Sequence, residues 1–266
     1  MTRVLSGAAL LAFAVAVVWF APPRLFFFIA EILLVLGCIE YAGLARASQL
    51  RVPTVASTLI AALVCSSFAR VALGGGMTVS LDIALMAALV IAGITALVSW
   101  RGGSEAVGVT AASLFPAIYL GVPIGALIVI RDAGGPEGLF LLMLTVVVSD
   151  SAQYYSGRAF GRRPLAPRVS PKKTIEGAIG GFVFGAALMA ILGEWWLPQL
   201  DLAGRVMLGL VVVALGIVGD LFESMLKRSA GVKDSSTLIP GHGGILDRID
   251  ALLFAAPVYY IVLRFA

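Results

Sequence analysis

The stretch VMLGLVVVALGIVGD, which runs from Val206 to Asp220, is an apolar segment that ends in an acid. With its flanks it covers residues 204–226, and a helix needs about 20 apolar residues to cross a bilayer. Of the 266 residues in the chain, 60% are hydrophobic and 13% are charged, and the mean hydropathy is +1.03. One water-soluble core cannot bury so much apolar surface, so the composition excludes both an ordinary soluble domain and a disordered chain.

Apolar runs of similar length recur along the whole chain. They are continuous rather than alternating, which favours helices over the strands of a membrane barrel. We therefore predict an all-α polytopic integral membrane protein with about nine transmembrane helices. The predicted spans cover residues 4–21, 25–45, 53–73, 77–99, 106–130, 137–157, 174–197, 204–226 and 248–264.

Three details of these runs refine the prediction. The fifth run contains Pro116 and Pro123, which we expect to kink or split its helix. The first run resembles a signal peptide, but no clean cleavage site follows it, so we expect it to remain as the first helix. Cys38 and Cys65 both fall inside apolar runs, where we expect small buried side chains rather than a disulfide or a metal cluster.

The basic residues are distributed unevenly between the two sides of the predicted bundle. With nine spans, the side that carries the N-terminus and the even-numbered loops has 14 of the 19 Lys and Arg residues, and the opposite side has 5. The positive-inside rule places the richer side in the cytoplasm. The two most basic loops join spans 6 to 7 and 8 to 9, so both lie on that side.

The chain divides into two halves by the position of its polar residues. Residues 1–135 are predicted to form about five N-terminal transmembrane helices. Acids inside these runs, among them Glu40, are expected to pair between helices, to snorkel to the interface, or to act directly. Residues 136–266 are predicted to be a catalytic transmembrane half with cytoplasmic loops at 158–173 and 227–247. Its polar site is expected at the cytoplasmic ends of spans 6, 8 and 9.

A first polar cluster follows the sixth span. Asp150 lies within that span, and the basic loop after it leads into SPKKT, from Ser170 to Thr174, where a new helix is predicted to begin. Free backbone N–H groups and the dipole at a helix start favour phosphate, so we predict an anion site here. A loop that only sets topology and touches anionic lipid is the alternative. The candidate binding residues are Asp150, Ser170, Lys172, Lys173 and Thr174.

A second polar cluster extends from the eighth span into the ninth. Asp220, Ser224 and the basic pair Lys227 and Arg228 recur at helical spacing and share a face, while Glu223 and Lys227 could instead pair as i and i+4. Asp247 and Asp250 are i and i+3, so both lie on one side of the last helix. The remaining candidates for substrate binding are Ser224, Lys233, Asp234, His242 and Arg248.

Three carboxylates, those of Asp220, Asp247 and Asp250, are predicted to lie near a phosphate-sized basic pocket. Magnesium prefers oxygen ligands and commonly joins one or two carboxylates to substrate phosphates, so we predict a Mg²⁺ site formed by these three residues. The alternative is that neighbouring Lys and Arg side chains, including Arg248, neutralise the acids. His242, the single histidine, is expected to shape its loop or contact phosphate, not to act as a general base.

These residues resemble the signature of the phosphatidate cytidylyltransferases, also called CDP-diacylglycerol synthases. The matching positions are SMLKR from Ser224, then Lys233 and Asp234, then HGGILDRID ending at Asp250, over 27 positions. The segment from Asp150 through Tyr154 and Gly157, with SPKKTIEG from Ser170, resembles the family's other hallmark. Gln153 departs from the alanine that many relatives carry before the tyrosine.

The resemblance implies an enzyme that transfers the cytidylyl group of CTP to phosphatidic acid for phospholipid biosynthesis, with Mg²⁺, and with a second cation in some relatives. It also implies a homodimer, a lipid bilayer environment in the bacterial inner membrane, and an active site that faces the cytoplasm. No nucleic-acid partner is expected. The residues that the resemblance and the spacing together assign to catalysis are Asp220, Lys227, Arg228, Asp247 and Asp250.

Two other functions remain open from the sequence. A CTP-dependent lipid kinase of the polyprenol type would transfer the γ-phosphate to a lipid hydroxyl and release CDP. An ion-coupled membrane transporter would use intramembrane acids as an ion pathway. The acids and bases gather at one interface rather than along a midplane path, which disfavours the transporter.

Overall fold

The computed structural model describes residues 2–74, 79–239 and 243–265 and is helical apart from one short hairpin. Each predicted apolar run corresponds to a helix or a pair of joined helices. The elements are α1 (Thr2–Phe20), α2 (Pro23–Ala47), α3 (Thr54–Ser66), α4 (Leu81–Ser99), α5 (Ala106–Pro116), a π-helical segment (Ala117–Gly121), α6 (Val122–Ala133), α7 (Gly135–Phe160), β1 (Pro164–Ala166), β2 (Ser170–Thr174), α8 (Ile175–Trp196), α9 (Leu202–Ser229) and α10 (Leu246–Phe265).

Six of these helical segments are long and apolar enough to cross a membrane, which makes the chain a polytopic membrane protein. They are α2, α4, the joined segment Ala106–Ala133, α7, α8 and α9. The apolar part of α1, Gly7–Phe20, and α3 are shorter. At 1.5 Å per residue, the 13 residues of α3 extend about 20 Å, less than the hydrocarbon core of a typical bilayer. The predicted count of nine spans is therefore not confirmed.

The fifth apolar run is interrupted, as predicted, but the chain stays helical through it. Pro116 and Pro123 bracket the π-helical turn, and each lacks the backbone N–H that a regular α-helix would use. Gly121 lies in this turn against α3, where a Cβ atom would come within 2.7 Å of the Ala61 carbonyl oxygen. The absence of a side chain thus lets α3 pack closely on the irregular turn.

The second half packs as a bundle in which α7, α8, α9 and α10 are neighbours. Small residues line these contacts, as is common where helices pack within a membrane. At Gly209 a Cβ atom would lie 2.8 Å from the Ala186 Cα atom of α8, and at Gly219 it would collide with the Asp250 carbonyl oxygen of α10. The close approach at Gly219 brings Asp220 of α9 beside Asp250 of α10.

The basic loop after α7 folds into an antiparallel hairpin, an element that the sequence did not predict. Pro164 pairs with Thr174 and Ala166 pairs with Ser170. Thr174 then caps α8, because its hydroxyl accepts a hydrogen bond from the Gly177 N–H at 3.1 Å, and the predicted helix start near Thr174 is confirmed. Cys38 and Cys65 are free and buried, also as predicted.

Candidate active site

The two polar clusters of the sequence meet in space. Lys173, on the hairpin, forms an ion pair with Asp220 of α9 at 2.5 Å between Nζ and Oδ2. Both side chains are partly accessible, at 21% and 28%. The SPKKT segment and the acidic end of α9 therefore belong to one site.

Two further carboxylates, those of Asp150 and Asp250, lie near this ion pair, and we call Asp150, Asp220 and Asp250 the acidic trio. Asp150 and Asp220 lie close enough to Asp250 to repel its charge, and Lys173 lies close enough to Asp150 to attract it. Gln153 donates to Asp150 at 3.0 Å, so the residue that departs from the expected signature orients one member of the trio. Asp250 accepts from the Ala251 N–H at 2.8 Å. The trio draws on three helices and concentrates negative charge beside one lysine.

A second charged group lies between α9 and α10. Lys227 forms ion pairs with Glu223, one helical turn earlier, and with Asp247 of α10. Glu223 is fully buried and Lys227 is 8% exposed, so these charges are held away from solvent. The i and i+4 pairing of Glu223 with Lys227, which the sequence left as an alternative, is thus formed, and Lys227 also ties the two helices together.

Asp247 is engaged by the protein through both of its oxygens. Oδ1 contacts Lys227, and Oδ2 accepts from the Ser235 N–H at 2.9 Å, the Ser235 hydroxyl at 2.8 Å and the Gly244 N–H at 2.7 Å. Asp247 therefore fixes the connection between α9 and α10, whereas the oxygens of Asp220 and Asp250 have fewer protein partners.

The remaining candidate residues surround this centre with different exposure. Ser224 donates to Asp220 at 3.4 Å, and Arg228 donates to the Val232 carbonyl at 3.1 Å. His242 lies outside the described residues. The side chains that face solvent are Lys172, Arg228, Lys233, Asp234 and Arg248, while Ser170 and Thr174 are partly covered.

Glu40 is the site residue that sequence reasoning did not assign. It comes from α2 in the first half, is 6% exposed, and accepts hydrogen bonds from Ser235, Ser236, Ile245 and Leu246. The one available signal was an acid inside an apolar run. Its partners are about 200 residues away along the chain, so no local pattern could identify them.

The predicted magnesium site can be compared with these contacts. Within the described ranges, no group of three His, Cys, Asp or Glu side chains is arranged as a ligand set for a metal ion. The carboxylates of Asp220 and Asp250 still suit magnesium, which commonly takes one or two carboxylates and completes its shell with substrate phosphate and water. The donors present thus fit a magnesium ion that arrives with a phosphorylated substrate better than a site formed by protein alone.

The fold and the site together define a polytopic helical membrane protein in which a lysine of the hairpin, a lysine of α9 and carboxylates of several helices converge at one polar centre. The family model described as the cytidylyltransferase family matches residues 1–266, and the chain belongs to this family. The family resemblance noted in the sequence is thereby confirmed.

Several curated relatives are phosphatidate cytidylyltransferases. The protein of Haemophilus influenzae is 48% identical over 130 residues, which are 46% of this chain and 45% of that protein. The Bacillus subtilis protein is 37% identical over 188 residues, which are 69% of this chain and 68% of the relative. The chain therefore spans somewhat less than half the length of the first of these relatives and about two thirds of the second.

Proposed function

We propose that this protein transfers the cytidylyl group of CTP to phosphatidic acid and produces CDP-diacylglycerol and pyrophosphate. The observation that carries the proposal is the meeting of Lys173 with the acidic trio at the junction of α7, α9 and α10. Fixed cations beside carboxylates are suited to hold phosphate groups and a divalent ion together. The names of the relatives give the reaction class, and the contacts supply groups that suit it.

In this reaction a phosphate oxygen of phosphatidic acid attacks the α-phosphorus of CTP. A new P–O bond forms, the bond from the α-phosphorus to the bridging oxygen of the β-phosphate breaks, and pyrophosphate leaves with that electron pair. The nucleophile is already an anion, so no general base is required. Both reactants are negative, and the principal task of the site is to offset their repulsion and align them.

The basic residues contribute to this task in different ways, according to their exposure to solvent. Lys173 is held at the trio by Asp220, which places its charge beside the reacting phosphates. Exposed Lys172, Arg228 and Lys233 would meet the triphosphate from the aqueous side. Ser170 and Thr174 are expected to contribute hydroxyl groups where β2 joins α8.

Magnesium is proposed to bind at Asp220 and Asp250, with Asp150 beside them. When bound, it would neutralise charge on the triphosphate and the leaving pyrophosphate. Asp247 belonged to the ligand set predicted from the sequence, but its oxygens already contact Lys227, Ser235 and Gly244. We propose that Asp247 supports the site by holding these groups, and that any second cation would need ligands from substrate.

The site is proposed to face the cytoplasm of a bacterial inner membrane, and the excess of basic residues on its side supports this orientation. Nine crossings would need α1, α10 and the 13-residue α3 to cross as well, α3 with local thinning of the bilayer. These crossings and a homodimer belong to the same proposal. An apolar cavity of about 510 Å³ lies between α7 and α8 and is lined by Val148, Ser151, Tyr155, Phe160 and Phe184 among others. Its lining is mostly apolar, so we propose that this cavity holds acyl chains.

The proposal predicts that Asp220→Asn and Asp250→Asn each abolish CDP-diacylglycerol formation at millimolar magnesium without preventing membrane insertion. Each variant loses a negative charge from the proposed ion site while its shape is kept. Asp82→Asn, at an exposed position on α4, is the matched control and should behave like the wild type. Activity of Asp220→Asn or Asp250→Asn equal to that of the control would remove the magnesium assignment.

A further inference from the structure

Glu40 connects the N-terminal half of the chain to the connection between α9 and α10. Oε2 accepts hydrogen bonds from the Ser235 hydroxyl and the Leu246 N–H, both at 2.9 Å. Oε1 accepts from the Ser236 hydroxyl at 2.7 Å and the Ile245 N–H at 2.9 Å. The donors lie on both sides of residues 240–242, so one carboxylate ties together the two described ends of this connection.

Two of the four donors belong to the start of α10. The first N–H groups of a helix have no partner within it, and a negative charge at this end is favoured by the helix dipole. Glu40 therefore acts as an N-terminal cap supplied by a different helix. Asp247 and Asp250 follow within the first turns of α10, so the position of both acids depends on where this cap holds the helix.

The cap is also linked to Asp247 through a shared serine. The Ser235 hydroxyl lies 2.9 Å from Glu40 Oε2 and 2.8 Å from Asp247 Oδ2, and it has one proton for the two carboxylates. Gly244 completes the arrangement, because a Cβ atom there would collide with Ser235 Oγ and the Glu40 carboxylate. These contacts allow little freedom in how the connection meets α2.

Packing alone gives no reason for an acid at this point of α2. A buried carboxylate is costly unless hydrogen bonds satisfy it, and an apolar side chain in the same space would leave the Ile245 and Leu246 N–H groups without an acceptor. What the acid adds is a set of directional bonds to the element that carries Asp247 and Asp250.

We propose that Glu40 is a positioning residue, which sets the register of α10 and its preceding connection so that Asp250 meets the acidic trio. The expected effect of Glu40 on turnover rests on the proposed function, whereas its expected effect on the mobility of the connection does not. The inference extends the site into residues 1–135, which the sequence left without an assigned role in the reaction.

The test compares Glu40→Gln with Glu31→Gln in the full-length protein. Glutamine keeps the shape, but its amide N–H groups would face backbone donors such as the Leu246 N–H, so at least one donor loses its acceptor. Glu31 lies on the same helix and accepts from the Ser66 hydroxyl at 3.0 Å, with no bond to the described residues of the connection, so it is the matched control.

Two measurements separate positioning from a general effect on folding. A nitroxide attached at Leu238→Cys reports motion of the connection, since position 238 is 52% exposed. The label attaches there selectively because the native Cys38 and Cys65 are buried. We expect a more mobile spectrum in Glu40→Gln and an unchanged one in Glu31→Gln. We also expect kcat of Glu40→Gln to fall about tenfold or more, as loss of bonds to a charged group implies, while KM for CTP changes far less.

An unchanged nitroxide spectrum in Glu40→Gln would overturn the proposal, and so would a changed spectrum with unchanged kcat. If Glu40→Gln fails to fold, Ser236→Ala removes one of the four bonds to Glu40. Because it also removes the bond from the Leu238 N–H to the Ser236 hydroxyl, next to the label, its readout is kcat alone. We expect kcat to fall by a smaller amount than in Glu40→Gln, and an unchanged kcat would overturn the proposal. If the wild-type protein forms no CDP-diacylglycerol, but its nitroxide is still less mobile than that of Glu40→Gln, the proposed function is removed and the role of Glu40 as a cap remains.

Discussion

At the scale of single residues, Lys227 is the cation that two shielded acids share. It contacts Glu223 and Asp247, and all three side chains are shielded from solvent. Removal of one partner from a buried ion pair leaves an uncompensated charge, which costs far more than the pair itself contributes. Lys227 is thus expected to influence folding as well as turnover.

Lys227→Met is predicted to lower the free energy of unfolding by about 3–5 kcal/mol, because it leaves two carboxylates without their cation. Denaturation of the purified protein in detergent measures this change. Lys172→Met alters an exposed lysine and should leave the unfolding midpoint in place. Equal midpoints for the two variants would show that Lys227 is not a structural cation.

The adjacent lysines of the hairpin are predicted to differ in kinetics. Lys173→Ala removes the partner of Asp220, so we expect kcat to fall by about ten- to a hundredfold, the usual range for a bond to a charged group. Lys172→Ala should chiefly raise KM for CTP, because its exposed charge meets the triphosphate from solvent. Steady-state kinetics with CTP as the varied substrate distinguishes them, and identical profiles would contradict the assignment.

At the scale of elements, the junction of α9 and α10 sets the distance between Asp220 and Asp250. It depends on Gly219, whose Cα faces the Asp250 carbonyl with no space for a side chain. The sequence indicated a helix here and acids on one face of it. It could not indicate that a glycine next to the acid lets another helix approach so closely, because that contact depends on tertiary packing.

Gly219→Ala is predicted to lower the free energy of unfolding by about 1–3 kcal/mol, as overpacking does, and to reduce turnover by separating the two acids. Gly216→Ala, one turn earlier on α9, is the matched control, since its Cβ atom would lie 3.7 Å from the Ala251 Cβ atom in ordinary contact. Thermal unfolding and product formation are compared for both. A Gly219→Ala protein as active as Gly216→Ala would mean that the junction tolerates a wider spacing.

The hairpin shows a different limit of sequence reasoning at the same scale. Strands of three and five residues, rich in proline and lysine, carry no apolar alternation, so β1 and β2 gave no recognisable signal. The helix start that follows them was predictable, because Thr174 and the residues after it match an N-terminal capping pattern.

At the scale of the whole molecule, hydropathy was sufficient for the fold class but not for the number of crossings. Continuous apolar runs predict helices reliably, yet a run such as 53–73 contains a helix of 13 residues that ends at Ser66. The site was predictable where its residues cluster in sequence, as from Asp220 to Asp250. Glu40 was not, because a contact between distant helices leaves no spacing to recognise.

The central claim is that the polar centre joins two phosphate-bearing substrates and releases pyrophosphate. The most direct test supplies the purified protein with magnesium, either phosphatidic acid or a polyprenol, and CTP labelled at the α- or at the γ-phosphorus, and then separates lipid from aqueous products. We predict that the α-label enters the lipid phase while the γ-label leaves as pyrophosphate. Transfer of the γ-label to lipid, with release of CDP, would contradict the account and identify a kinase instead.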